Sequence, residues 1–226
     1  MPRQARIVIP RIPHHVTQRG NYRQDVFEEA GDYSRYCIWM GQYAEKYGLK
    51  ILAYCLMRNH VHFIVVPREA ESLARVFNTL HMRYAQYVNH RNEARGHLWQ
   101  GRFYSCFMDT GHLYHAIRYV ERNPVRVGIV ENAWDYQWSS ARVHAGEAGG
   151  KGLIAVDTHK FPMDSMQWKE YLQAEDEPVE EELRLKTQRG LVLGSSTFVK
   201  RLEQKLERSL ACLTFQPPAA APPAAR

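Results

Sequence analysis

The stretch Met57-Arg58-Asn59-His60-Val61-His62-Phe63-Ile64-Val65-Val66 constrains the fold more than any other part of the chain. From His60 onward it is a short apolar run that reads as a buried strand. Strand side chains alternate faces, so His60 and His62 project together while Val61 points the other way. Leu49 to Leu56 reads as a preceding strand, with Arg58-Asn59 near the intervening turn. Two neutral imidazoles on one strand face can chelate a single cation. A chain with eleven histidines carries such a triplet by chance about as often as not. Its meaning therefore depends on what else in the chain would use a metal.

The remaining elements follow from periodicity and punctuation. Ile12 to Gly20 reads as a first strand. Asp32 is the expected N-cap of a helix running to about Tyr47, with Tyr36, Trp39, Met40 and Tyr43 at helical spacing and Gly48 as its stop. Ser72 is expected to cap a longer helix reaching about Asn89. A fourth strand spans about Arg102 to Met108, and Asp109-Thr110 opens a helix that should end near Asn123 because Pro124 follows. The order strand–helix–strand–strand–helix–strand is the ferredoxin-like pattern, an α+β fold with an antiparallel sheet and helices on one face. The glycine-rich stretch 144–152 is a candidate boundary. It suggests a main domain over 1–145, a linker and small helical C-terminal extension over 146–215, and a disordered Pro/Ala tail over 216–226. In the extension, 175–182 reads as a solvated acidic helix face, and Ser195-Ser196 caps a helix with Phe198, Leu202, Leu206 and Leu210 in register.

Charge is divided unevenly between these parts. Residues 1–145 hold 19 Lys+Arg against 12 Asp+Glu, net +7, whereas residues 146–226 hold 11 against 12, net −1. Seventeen of the 19 basic residues in the first part are arginine, whose planar fork suits bidentate phosphate binding. Ten of the eleven histidines also lie there, so a polyanionic partner is a natural expectation. No apolar run approaches the roughly 18 residues of a membrane span, and the opening Met1-Pro2-Arg3-Gln4-Ala5-Arg6 lacks the apolar stretch of a signal peptide. Four scattered cysteines without a C-x-x-C pair fit reduced thiols in a cytosolic protein.

Four ordered motifs carry a family resemblance. They are His15-Val16-Thr17-Gln18-Arg19-Gly20-Asn21, the His60-Val61-His62 strand with Leu56-Met57-Arg58-Asn59 before it, Trp99-Gln100-Gly101-Arg102-Phe103, and Arg118-Tyr119-Val120-Glu121-Arg122-Asn123-Pro124-Val125-Arg126-Val127-Gly128. Together they make the chain resemble the REP-associated tyrosine transposases, a branch of the insertion-sequence-200-like HUH transposases. The resemblance covers about residues 7–142 and continues more loosely over 189–195, where the chain has Leu191-Val192 in place of the family's common Arg-Pro pair.

That resemblance implies a metal-dependent single-stranded DNA endonuclease and strand transferase with the HUH fold, acting at or near palindromic hairpins. It implies His60 and His62 as the metal pair, Tyr119 as the nucleophile that becomes linked to a 5′ phosphate, and Asn123 as a polar residue assisting the metal. Mg²⁺ or Mn²⁺ is the implied cofactor, and single-stranded or hairpin DNA the partner. The protein would be a monomer or homodimer, cytoplasmic and associated with the bacterial nucleoid, with no membrane contact. Arg19, Arg58, Arg102, Arg126 and Trp99 are candidate DNA contacts, although Arg102 and Arg126 could equally pair with a carboxylate. Of Trp99, Phe103 and Tyr104, at least two are expected in the core.

Phosphate chemistry agrees with these roles. A phosphodiester is already anionic, so a phenol attacks it slowly unless the developing charge is offset, which a cation on two imidazoles would do. Tyr119 and Asn123 are four apart and share a helix face. Two other classes fit less well. A domesticated hairpin-binding protein with little or no cleavage need not keep both histidines and the tyrosine. An RNA-binding ferredoxin-like module predicts paired aromatic strand motifs, which are not seen, and has no use for the H-x-H.

Overall fold

The computed structural model describes residues 7–147, 152–158, 161, 163–174, 178–207 and 209–210. Four strands, β1 (His14–Arg19), β2 (Leu49–Met57), β3 (His60–Pro67) and β4 (Tyr104–Phe107), form one antiparallel sheet in the order β2-β3-β1-β4. Helices α1 (Ala30–Lys46) and α2 (Ser72–Arg91) complete the ferredoxin-like order, and α3 (Thr110–Arg126) follows β4. A single helical turn α4 (Ala141–His144) leads to α5 (Ser165–Gln173), α6 (Pro178–Arg189) and α7 (Ser196–Leu206). The expected tail over 216–226 lies outside the described residues.

Alternation along the strands sorts the molecule into layers. Val16, Tyr54, Leu56, Val61, Phe63 and Val65 pack under α1 and α2. Their neighbours Ala53, Cys55, Met57 and Ile64 face α3, where Trp168 and Leu172 of α5 and Leu183 of α6 join the same apolar cluster. So α1 and α2 share one face, as the ferredoxin-like pattern implies, and the added helices cover the other. The C-terminal helix α7 packs Phe198 and Leu202 against Ile9, Phe107 and Val192. A one-residue irregularity at Leu52 in β2 separates the pairs Ile51–Val65 and Ala53–Ile64.

Several expected boundaries are corrected, among them that of α2, where Glu71 is the N-cap and Ser72 the first helical residue. Asp32 is not the N-cap of α1 but its third residue; Glu29 occupies the cap, and the two side chains form a reciprocal capping box. β4 is shorter than expected at both ends. Helix α3 does not stop at Asn123 but runs through Pro124 to Arg126. Pro124 has no N–H to give the Val120 carbonyl, and the side chain of Asn123 supplies one instead. Its Nδ2 donates to the carbonyls of Val120 (3.3 Å) and Tyr119 (2.8 Å). The helix then ends at Gly128 (φ +72°), where the Gly128 and Ile129 amides return to the Val125 and Pro124 carbonyls.

Candidate active site

β3 presents His60 and His62 on the face covered by α3, as the alternation requires. Their rings lie 4.9 Å apart, centre to centre, and nearly perpendicular. β1 places Thr17 opposite His62 and Arg19 opposite His60 in the sheet register. His15, two residues back along the same face, lies with its ring parallel to that of His62 and edge to edge with it, the centres 5.1 Å apart and His15 Nε2 2.9 Å from His62 Nδ1. Tyr119 descends from α3 with its ring edge-on to both imidazoles, 5.7 Å from His62 and 5.8 Å from His15. The H-x-H pair and the tyrosine, 57 positions beyond His62 in the sequence, are thus brought together.

Burial sets the protonation of this group. His15 is 1% exposed and His62 6%. Burial holds the pKa of His15 at about 3, and burial with the charge of Arg19 holds His60 at about 4. His62 is kept well below the usual imidazole value, first by burial and then by His60, His15, Arg19 and Arg126. All three rings are therefore neutral near pH 7, the form in which imidazole binds metals.

Among the described residues, no cluster of three or more His, Cys, Asp and Glu forms a metal cage. The metal donors that β3 brings together here are the imidazoles of His60 and His62. Asn123, one turn beyond Tyr119 on α3, has its amide nitrogen fixed on two helix carbonyls, which leaves Oδ1 as the one side-chain atom with lone pairs to offer. Two imidazoles alone leave most positions of a divalent cation to water and a substrate phosphate. Such a pair fits a divalent cation that acts on a bound phosphate better than one sealed into the fold.

The expected DNA contacts divide. Arg19 lies beside His60, and Arg126 spreads over the Tyr119 ring with its guanidinium carbon 4.8 Å from the ring centre. Arg58, at the turn before His60, is ion-paired with Asp25 at 2.8 Å but stays 69% exposed. Arg102 is exposed on the loop whose Gln100 amide donates to the Arg19 carbonyl. Trp99 is the exception and is corrected. It is 7% exposed, its indole N–H donates to the His81 carbonyl, and its ring packs on His81 and Tyr84, so it belongs to the core. Phe103 is buried as well, which leaves Tyr104, 41% exposed, as the available ring of the three.

One part of the site had no sequence signal. The stretch read as an acidic solvated face belongs in part to α6, whose opposite side is inserted against the sheet. Thr187 is 1% exposed, and its hydroxyl lies 2.7 Å from His15 Nδ1 and 3.1 Å from Cys106 Sγ. Arg184 of the same helix pairs with Glu181, which raises its pKa. A threonine 172 positions from its histidine partner cannot be found by local pattern.

Comparison with known proteins adds to this geometry. The model of the IS200-like transposase family matches residues 9–123. No curated protein matches significantly. Among solved structures, a REP-associated tyrosine transposase bound to a REP hairpin aligns at 20% identity with a TM-score of 0.52, covering 72% of this chain and 96% of that one. A transposase-like protein from Deinococcus radiodurans aligns at 17% identity and a TM-score of 0.36, covering 54% of this chain and 97% of that one. The first shares the fold described above. Among the described residues, no helix is long and apolar enough to cross a membrane.

Proposed function

From the premise that the chain belongs to the IS200-like transposase family, we propose that it is a metal-dependent single-stranded DNA endonuclease and strand transferase acting at or near hairpins. The observation that carries this reading is the placement of the Tyr119 ring edge-on to His62, on the sheet face that also presents His60. In this reading the Tyr119 phenol oxygen attacks a phosphodiester phosphorus. The bond from phosphorus to tyrosine oxygen forms as the bond to the 3′ oxygen breaks, leaving a 5′-phosphotyrosine and a free 3′ hydroxyl. The phenol proton passes through solvent to the departing oxygen. The phosphodiester energy is kept in the adduct, so a later 3′ hydroxyl can reverse the step and rejoin strands. Mg²⁺ or Mn²⁺ held by His60, His62 and Asn123 Oδ1 would offset the charge that grows on the phosphate oxygens. Arg126, over the Tyr119 ring, adds positive charge beside the nucleophile. Arg19, Arg58 and Arg102 would hold the flanking backbone phosphates, with Tyr104 offering a base a ring to stack on.

One observation favours a second reading, a hairpin-binding protein with little or no cleavage: Tyr119 is only 3% exposed. A single assay separates the two. Labelled single-stranded hairpin DNA is incubated with the protein and Mn²⁺, and denaturant-resistant adducts are counted. The transferase reading expects an adduct that vanishes with Tyr119→Phe and with EDTA. Hairpin retention without any adduct would leave the binding protein, and cleavage unchanged by EDTA would remove the metal.

A further inference from the structure

We propose that two hydrogen-bond relays, Asn59–His60 and Thr187–His15–His62, each anchored on a backbone carbonyl, hold both site histidines as Nδ1–H tautomers and so leave both Nε2 atoms free as metal donors. The inference rests on the metal reading above and assigns Asn59, His15 and Thr187 as positioning residues.

The first relay begins at the Arg23 carbonyl. A carbonyl only accepts, so the Asn59 amide nitrogen must face it, and it does at 3.2 Å. Asn59 Oδ1 is then the end turned to His60 Nδ1, 2.6 Å away. An amide oxygen also only accepts, so the proton sits on His60 Nδ1. The Arg23 carbonyl is delivered by an unusual turn, with two consecutive non-glycine residues in the left-handed region, Tyr22 (φ +51°) and Arg23 (φ +61°).

The second relay begins at the Leu183 carbonyl in α6. Thr187 Oγ1 lies 2.7 Å from it and has one proton to give, which that carbonyl must receive. The remaining two neighbours of the hydroxyl, His15 Nδ1 and Cys106 Sγ, must therefore both donate to it. With its proton on Nδ1, neutral His15 turns a bare Nε2 to His62, so His62 Nδ1 donates across 2.9 Å. A cationic His15 would break this order, but its two polar partners are a hydroxyl and an imidazole, neither of which compensates a buried charge. Metal-ligating histidines commonly have their far nitrogen fixed in this way, which settles tautomer and ring orientation together. The consequence is that the C-terminal extension completes the site: the hydroxyl that orders His62 comes from α6.

The test reads the tautomers directly. Metal-free protein labelled with ¹⁵N-histidine is examined by long-range ¹H–¹⁵N correlation, and Mn²⁺ affinity is measured from the electron paramagnetic resonance signal of the free ion. The expected result is Nδ1–H at His15, His60 and His62. Thr187→Val, equal in volume but without the acceptor, should disturb the His15 and His62 tautomers and weaken Mn²⁺ binding about tenfold to a hundredfold. Thr187→Ser should restore both. An Nε2–H His62 in the unaltered protein, or a folded Thr187→Val with unchanged tautomers and Mn²⁺ affinity, would overturn the relay. The two readings fail separately. Ordered tautomers without Mn²⁺ binding would overturn only the metal, and Mn²⁺ binding with an Nε2–H His62 would overturn only the relay.

Discussion

The two faces of the sheet are built from the same strands yet hold opposite kinds of interior. Under α1 and α2 the space is filled by rings: Phe63 and Phe77 pack at 5.5 Å, Tyr36 and Tyr84 at 5.2 Å, and Phe27 against Tyr33 at 4.4 Å. Under α3, α5 and α6 the layer is threaded by polar chains. His15, His62 and Thr187 form one, and the buried Glu121 forms another with Ser140, His144 and Trp168. The ring-filled face explains how the polar one is tolerated. A one-residue slip of β3 would drive His60 and His62 into the aromatic layer and expel Val61 and Phe63, so the dry face fixes the register on which the site depends. One face specifies the fold, and the other is left free for chemistry.

Adjacent residues of β3 offer the sharpest way to break that division. Phe63→Ala should cost about 3–5 kcal/mol of stability, seen as a lowered denaturation midpoint, while the Mn²⁺ affinity of the folded fraction stays the same. His62→Ala should do the reverse, abolishing Mn²⁺ binding and adduct formation at a stability cost of about 1–3 kcal/mol from the polar partner it strands. Equal stability losses at the two positions would mean that the faces are not specialised.

Acidification should act on both faces, and the sign follows from burial. His14 and His60 have pKa values lowered to about 4, and His15 and His81 to about 3, in each case chiefly by burial. An unfolded chain takes up protons at these positions below about pH 6.5, while the native state stays neutral until far lower. Stability is therefore complete above pH 6.5 and falls as the pH drops toward 4, by up to about 1.4 kcal/mol per pH unit for each such histidine. Urea titrations at stepped pH should show this slope. His81→Gln on the ring-filled face and His15→Gln on the polar face should each flatten it by about one histidine's share. A flat profile between pH 6.5 and 4.5 would show that these imidazoles are not held neutral.

How far this division could be read in the sequence differs by face. The ring-filled face was legible because it obeys local rules: Tyr36 and Met40 repeat at helical spacing, and Val61, Phe63 and Val65 alternate. His60, His62 and Tyr119 were legible through motif, and the geometry brings them together. What escaped depends on partners distant in sequence. Thr187 is an ordinary helical threonine until α6 docks beside β1. The end of α3 was misplaced because Pro124 is a helix breaker by every local measure. The compensating donor is a side chain, that of Asn123, and side-chain donors are invisible to a rule about backbone. Trp99 looked available because its neighbours Gln100, Gly101 and Arg102 are polar or flexible, but its indole fills the layer beneath α2.

The smallest contrast sets one hydrogen bond on each face against the other. Tyr36 Oη lies 3.0 Å from His81 Nε2 among aromatic rings, and Trp168 Nε1 donates to Glu121 Oε2 at 2.9 Å. Tyr36→Phe keeps the ring, and the nitrogen it strands belongs to a neutral imidazole, so the loss should be about 1 kcal/mol. Trp168→Phe removes a donor from a fully buried carboxyl group whose other oxygen already serves Ser140 and His144, and it shrinks a side chain with no exposed surface. That loss should be about 2–4 kcal/mol, the sum of an unsatisfied carboxyl oxygen and a small cavity. Paired denaturation curves measure the difference. If the two substitutions cost the same, the polar threads under α3 contribute no more than the isolated pair under α1, and the second face is held by its apolar cluster alone.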